Sequence, residues 1–274
     1  MKTSLPKVGA YEGIASEEYH AWPAASSTVI RAIARSSPAH SRVGPDPDSP
    51  SLRLGTAVHA AVLEPAKFDG MVRVEPKVDK RTKDGKALWE SWQMSLMPGQ
   101  VSISEEQMQV VDRIAANVRH SRACTAVLGL APKREWSVVA EVEGVMCKCR
   151  CDAYGPGLVV DVKTSSGLVG EQDFAKTIWN YQYAMQAAFY RMVLDRAGFA
   201  VDRFVWIACE TAEPNAVAVY QVGPDVLDHF EEPIVQALRQ YADCEHVQAW
   251  PAYPDVIKEL ELPPWMRRQM EASA

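Results

Sequence analysis

Two short runs near the middle of the chain put acids and a lysine where burial would make them costly. In the run from Val145 to Ala153, Cys147, Cys149 and Cys151 alternate with Lys148, Arg150 and Asp152. A period of two sends the cysteines to one face of a strand and the two cations and the acid to the other. Soon after, Leu158-Val159-Val160 leads into Asp161-Val162-Lys163, where the two charged residues share a face opposite Val162. An Asp and a Lys at the end of an apolar strand are costly to bury unless they are paired or bound to a metal. If the strands pair through a turn at Gly155-Pro156-Gly157, Asp152 and Asp161 lie across from each other. Two carboxylates at that spacing repel and call for a divalent cation between them. Taken alone, Asp161-Val162-Lys163 reads more readily as a surface salt bridge beside a hairpin.

Other residues gain meaning only in company. His59, within Ala57-Val58-His59-Ala60-Ala61-Val62, reads locally as a core or helix-surface imidazole. Glu135 opens a β-rich run and, as a lone acid on a strand, reads locally as a surface residue. Tyr183, Gln186 and Tyr190 fall on one helical face, which could pack on a sheet or line a site. Between Lys77 and Lys86 five cations stand against Asp79 and Asp84, so five minus two leaves +3. That stretch suits either a solvated loop or a phosphate-tracking one.

The elements that must position these residues follow from pattern. Short helices are expected near Ser27 to Ala34 and from about Leu52 to Leu63, closed by Pro65, with a Pro/Asp/Ser loop from Ser41 to Ser51 between them. Ser104-Glu105-Glu106-Gln107 has the form of a capping box and starts a helix to about Val118. Three β-rich runs follow, Glu135 to Glu141, Val145 to Ala153 and Leu158 to Thr164, with turn signals that make them an antiparallel meander. A long helix from about Asn180 to Asp195 ends at Gly198. Strands from Arg203 to Cys209 and Ala216 to Val222 and a helix to about Ala242 complete the core. Pro251, Pro254, Pro263 and Pro264 make the tail extended, wrapped on the core. This order predicts a single α/β domain over 1–274: a mainly helical region over 1–130, an α/β core with a mixed sheet over 131–245, and a tail over 246–274.

Composition narrows the class. With 274 residues, 47% hydrophobic and 23% charged, the chain reads as an ordinary globular protein. It has no apolar run that could span a bilayer and no apolar region behind Lys2 that would make a secretory leader, so a cytoplasmic location is expected. The net charge of −6 argues against a coat-like nucleic-acid binder but not against an enzyme with a local basic groove. Six cysteines without C-x2-C pairs read as free buried thiols, not a zinc site, and with only Cys209 and Cys244 after residue 151 an iron–sulfur cluster is not expected. There is no P-loop, hence no nucleotide, and no G-x-S-x-G elbow.

Taken in order, Gly55-Thr56-Ala57-Val58-His59, Asp152, Asp161-Val162-Lys163 and Gln186-Ala187-Ala188-Phe189-Tyr190 resemble the motif set of RecB-like PD-(D/E)xK nucleases. Within that group the chain is similar to RecE-type exonucleases, the exonuclease VIII family of prophages. Ser37-Pro38-Ala39-His40, Arg81-Thr82-Lys83-Asp84-Gly85-Lys86 and Pro263-Pro264-Trp265 extend the similarity over most of the chain. Cys151 replaces the proline of the motif, and Asp161 stands where other branches have Glu.

The resemblance implies a restriction-endonuclease-like core of mixed sheet flanked by helices, behind a helical N-terminal region. It implies Mg2+, with Mn2+ as a substitute, held by His59, Asp152, Asp161 and the Val162 carbonyl. Lys163 would act on the attacking water or the phosphate. Glu135 would support a metal or its water, and Gln186 and Tyr190 would flank the site. Arg81, Lys83 and Lys86, and less strongly Arg31, Lys148 and Arg150, would follow the DNA backbone. The implied activity is digestion of linear double-stranded DNA from its ends, 5′→3′, leaving 3′ single strands for a RecT-like annealing partner in phage-type recombination. A homo-oligomer, in the form of a ring, goes with that family. The competing readings are an endonuclease on the same core and a non-catalytic DNA-binding module.

Overall fold

The computed structural model describes residues 5–44, 46 and 49–272. Residues 1–4, which carry some of the leader expectation, and residues 45, 47 and 48 of the Pro/Asp/Ser loop lie outside the described residues. In chain order the N-terminal region holds β1 (Gly9–Tyr11), α1 (Ser16–Ala21), β2 (Ala25–Ser26), α2 (Ser27–Arg35), α3 (Pro50–Leu63) and α4 (Phe68–Met71). It continues with β3 (Val72–Val74), α5 (Lys83–Met94), β4 (Val101–Ile103), α6 (Glu105–His120) and α7 (Arg122–Leu130). Then come β5 (Lys133–Val142), β6 (Val145–Gly155), β7 (Gly157–Ser165), α8 (Glu171–Asn180) and α9 (Tyr183–Arg196). The chain finishes with β8 (Val201–Glu210), β9 (Val217–Val222), α10 (Pro224–His229), α11 (Glu231–Val247) and α12 (Pro264–Ala272).

The central sheet runs β1-β5-β6-β7-β8-β9, with β2 added on β6. Its neighbours are antiparallel except β7–β8, whose crossover carries α8 and α9, and β2–β6. Each face buries its own core. On one, Cys147, Cys149, Cys151, Val159 and Trp206 pack against α2, α9 and α11. On the other, Val160, Val162, Val205 and Ile207 pack against α3, α6 and α7. The apolar side of the cysteine strand is therefore the α9 side, and all six cysteines are free and buried.

Register decides where the acids lie. β6 and β7 pair only at Ala153↔Val160, Tyr154↔Val159 and Gly155↔Leu158. One residue further, that register sets Asp152 against Asp161, and there the ladder stops. Beyond it β6 keeps β5 as a partner while β2 takes up its other edge at Cys147 and Lys148. On β5, Arg134↔Ala153 and Trp136↔Cys151 set Glu135 against Asp152. The mouth of the fork between β6 and β7 thus carries one row of three acids on three adjacent strands.

Several elements differ from expectation. The helix expected from about Asn180 to Asp195 forms as α9, but a further helix, α8, precedes it, and the two are separated where Gln182 takes the left-handed conformation (φ 54°). The basic stretch 77–86 is not one loop: Thr82 caps α5 by accepting from the Gly85 N–H at 3.0 Å, and a Cβ on Gly85 would meet the Asp79 carbonyl. The tail touches the core through Trp250 and Pro251, whose carbonyl accepts from the Ala39 N–H, and then runs exposed into α12 instead of wrapping. The Ser104–Gln107 capping box forms as expected, with both reciprocal bonds in place.

Candidate active site

The fork brings together groups that begin far apart in sequence. α3 crosses close to β7 at Gly55, where an added Cβ would touch Thr164 Oγ1 at 3.4 Å. One turn on, the same helix presents His59, whose Nδ1 lies 3.4 Å from Asp152 Oδ2. That oxygen also accepts the Val162 N–H at 2.7 Å, so a side-chain bond continues the ladder where the strands part. Glu135 sits at φ 46°, a left-handed conformation that costs a non-glycine residue about 1 kcal/mol or more. His59, Glu135 and Asp152 can each offer a ligand atom, and these atoms all lie within 4.8 Å of one another.

Asp161 is buried at 2% exposure, and its Oδ2 lies 2.7 Å from Lys163 Nζ. The two form a buried ion pair, so this oxygen is committed to the ammonium. Its Oδ1 accepts from Gln186 Nε2 at 3.3 Å. On its far side Lys163 Nζ stands 4.8 Å from the centre of the Tyr183 ring.

Electrostatics show a cluster short of positive charge. Burial, followed by the neighbouring Asp152 charge, pushes Glu135 up to about 7, against the pull of His59 and Arg150. Burial also raises Asp161, with Asp152 adding to the effect and Lys163 and His59 opposing it. Burial by itself would lower the proton affinity of Lys163, but Asp161 and Asp152 outweigh it, so the ammonium is held charged. Crowded acids, two of them with raised pKa values, and an imidazole form a donor set that fits a hard divalent cation tolerant of one nitrogen. The tight group includes Glu135, while Asp161 stands beside it, engaged with Lys163. Of the expected ligands, Val162 joins the site through its N–H.

The remaining candidates divide. Tyr190 is buried against Phe204, near enough to Asp161 to feel its charge. Arg31 is half-buried beside Asp161, Tyr183 and Tyr190, and its Nη1 donates to the Tyr181 carbonyl at 2.9 Å. Lys83 and Lys86 stand exposed on α5, whereas Arg81 is paired with Asp79 at 3.0 Å.

Lys148 and Arg150 do not face a DNA groove. Lys148 is 5% exposed and gives its ammonium hydrogens to the carbonyls of Tyr19, His20 and Trp22 at 2.8, 3.0 and 2.8 Å. Arg150 donates to Ser137 Oγ and the Ile14 carbonyl and lies over the Tyr19 ring. Period two puts both cations on the face of Asp152, but the N-terminal segment covers that face. Tyr183, set by its spacing on the face of Gln186 and Tyr190, adjoins Lys163.

Comparison with known proteins supports the same architecture. No curated protein matches the chain. Among solved structures, a proposed exonuclease from Eubacterium rectale aligns with a TM-score of 0.63 at 13% identity, covering 94% of this chain and 98% of that one. At this identity the likeness speaks for the fold alone. A phage-related exonuclease from Haemophilus somnus aligns over 70% of this chain and 95% of its own at 14% identity, with a TM-score of only 0.36. Residues 31–261 match the model of a family described as a PDDEXK-like domain of unknown function, DUF3799. The chain belongs to that PDDEXK-like family, whose nuclease-type core is the mixed sheet and flanking helices described above.

Proposed function

We propose that this protein is a divalent-metal-dependent nuclease that hydrolyses phosphodiester bonds at the ends of linear double-stranded DNA. The observation that carries the reading is the row Glu135–Asp152–Asp161 at the mouth of the fork, with His59 on one side and a charged Lys163 on the other. His59, Glu135 and Asp152 would hold Mg2+ or Mn2+, with Asp161 and the Val162 carbonyl available to complete the shell. Such an ion lowers the pKa of bound water and polarises a phosphoryl oxygen.

The chain's own groups do the rest. Asp152 keeps β7 in register with the site through the Val162 N–H. Gln186 fixes the plane of the Asp161 carboxylate, and that carboxylate holds the ammonium of Lys163 at the open end. A lysine whose proton is held this firmly suits charge stabilisation on a non-bridging phosphate oxygen better than proton abstraction. Lys83 and Lys86 would meet the DNA backbone without reading sequence. The 5′→3′ direction, a RecT-like annealing partner, a ring-shaped oligomer and a role in phage recombination follow from the resemblance to RecE-type exonucleases.

The test uses linear duplex with Mg2+, the same with EDTA, and Asp161→Ala with Mg2+. Nucleotide release in the first arm alone is expected, with covalently closed circular DNA left intact. Equal release in all three linear arms would end the proposal.

A further inference from the structure

The end of α8 and the turn that leads into α9 leave two large rings in water. Trp179 is 71% exposed and Tyr181 is 62% exposed. Single exposed apolar side chains are ordinary on a protein surface. The turn that carries Tyr181 is held in place by more than its own packing. The turn passes through the left-handed Gln182, and its backbone is pinned from α2: Arg31 Nη1 donates to the Tyr181 carbonyl at 2.9 Å and Arg35 Nη1 to the Asn180 carbonyl at 3.0 Å. The Tyr181 ring stacks on that of Tyr183 with centroids 5.7 Å apart and planes inclined by 21°. Tyr183 in turn lies 4.8 Å from Lys163 Nζ. A ladder of rings therefore leads from the lysine to the surface, and its last open face is that of Tyr181.

We propose that this turn is a base-stacking platform, on which Tyr181 and Trp179 receive unpaired bases of the strand being cleaved. The inference rests on the nuclease reading and specifies its substrate as a DNA end with unpaired nucleotides. Geometry favours bases as the occupant because the ladder is continuous with the candidate active site. The Tyr181 ring lies no farther from Lys163 Nζ than those two steps together, which a single strand covers in roughly one to three nucleotides at about 3.4 Å per stacked step. Both faces of an internal base in a duplex are already covered by its neighbours. An aromatic face near the scissile phosphate can stack only on a terminal or unpaired base, and such stacking needs no sequence match. Arg31 and Arg35 are positioning residues here, acting on the backbone of the turn.

The experiment compares wild type, Trp179→Ala, Tyr181→Ala and Tyr181→Phe on a duplex closed by a hairpin at one end. The free end is blunt, carries a few unpaired nucleotides, or carries the same overhang with abasic sites. Binding is followed by fluorescence anisotropy in Ca2+ and cleavage in Mg2+, with Mn2+ binding by calorimetry and circular dichroism as checks on site and fold. Wild type should favour the overhang with bases over its abasic counterpart by about tenfold, the scale of one aromatic–base stack. Both alanine variants should lose most of that preference, and Tyr181→Phe, which keeps the ring, should retain it.

A wild-type protein that cleaves DNA but treats base-bearing and abasic overhangs alike refutes the platform and spares the nuclease reading. Alanine variants that keep the preference refute it too, as does its loss in Tyr181→Phe. A protein that neither binds Mn2+ nor cleaves any of the three ends overturns the nuclease reading, and the platform falls with it.

Discussion

Replacing Asp152 separately by Asn and by Ala distinguishes two tasks of one side chain. Its Oδ2 accepts the buried Val162 N–H at 2.7 Å, and alanine would leave that donor unsatisfied at a cost of about 1–3 kcal/mol. Asparagine keeps an oxygen for the N–H and discards a negative charge. That charge is the second cause, after burial, of the rise in Glu135 from 4.5 to about 7. The whole rise is worth roughly 3 kcal/mol at about 1.36 kcal/mol per pH unit, with burial taking the larger part. Removing the Asp152 charge should therefore return on the order of 1 kcal/mol to the metal-free protein at alkaline pH. Asp161, also raised in part by Asp152, shifts in the same direction.

In EDTA near pH 8, Asp152→Asn should melt level with wild type or about 2–4 °C above it, and Asp152→Ala below it. With Mn2+ at about a hundred times its Kd, wild type should gain about 2.7 kcal/mol and Asp152→Asn far less. Thermal denaturation with and without Mn2+ reads all of these differences. If Asn destabilises as much as Ala, the crowding of acids is misjudged. If Mn2+ stabilises Asp152→Asn as fully as wild type, Asp152 is no ligand.

Other outcomes follow from the same geometry. Glu135 binds its proton more tightly folded than unfolded, so its contribution is fully present below the unfolded carboxylate range and is lost as pH climbs through about 7; Asp161, also raised, acts in the same direction. The Tm in EDTA should accordingly fall over that interval, with divalent cation restoring most at the alkaline end; a rise instead would contradict this linkage. Lys148→Met should lower stability by about 2–4 kcal/mol, because three carbonyls lose a charged donor, yet leave the salt dependence of DNA binding unchanged. Lys86→Glu, on exposed α5, should do the reverse, flattening the salt slope by at least about one with little change in Tm. Gly155→Ala would drive a Cβ to 1.9 Å from the Leu130 carbonyl, so a loss of at least about 1–3 kcal/mol is expected on chemical denaturation.

The centre of the site was legible because strand periodicity and register are rigid rules. Asp152 opposite Asp161 follows from counting back from the Gly155 turn, and the observed pairs bear that count out. What escaped were decisions made by tertiary contacts. Nothing in Asn180-Tyr181-Gln182-Tyr183 marks a helix break, since the residue that turns left-handed is neither Gly nor Asn. Asp84-Gly85-Lys86 looks like loop, but Gly85 serves a close approach to the Asp79 carbonyl inside a helix. Alternation also fails locally: Cys151 packs in the core under α9, while Ala153 packs in the core under α3. Lys148 and Arg150 were correctly placed on the face of Asp152, but period two cannot say which distant segment will lie over that face.

That covering segment bears on where the folding unit begins. The family match starts at residue 31, inside α2. A fragment trimmed to that point would lack β2 and the carbonyls of Tyr19, His20 and Trp22. Lys148 would then keep its charge with no acceptor among its present partners, next to Arg150, itself stripped of Ile14 and the Tyr19 ring. Two like cations left bare a few residues upstream of Asp152 would repel along the very strand that carries it. The segment from Ile14 to Ser26 is thus the electrostatic lining of the sheet that bears the candidate site, and a boundary drawn by family similarity alone would remove it.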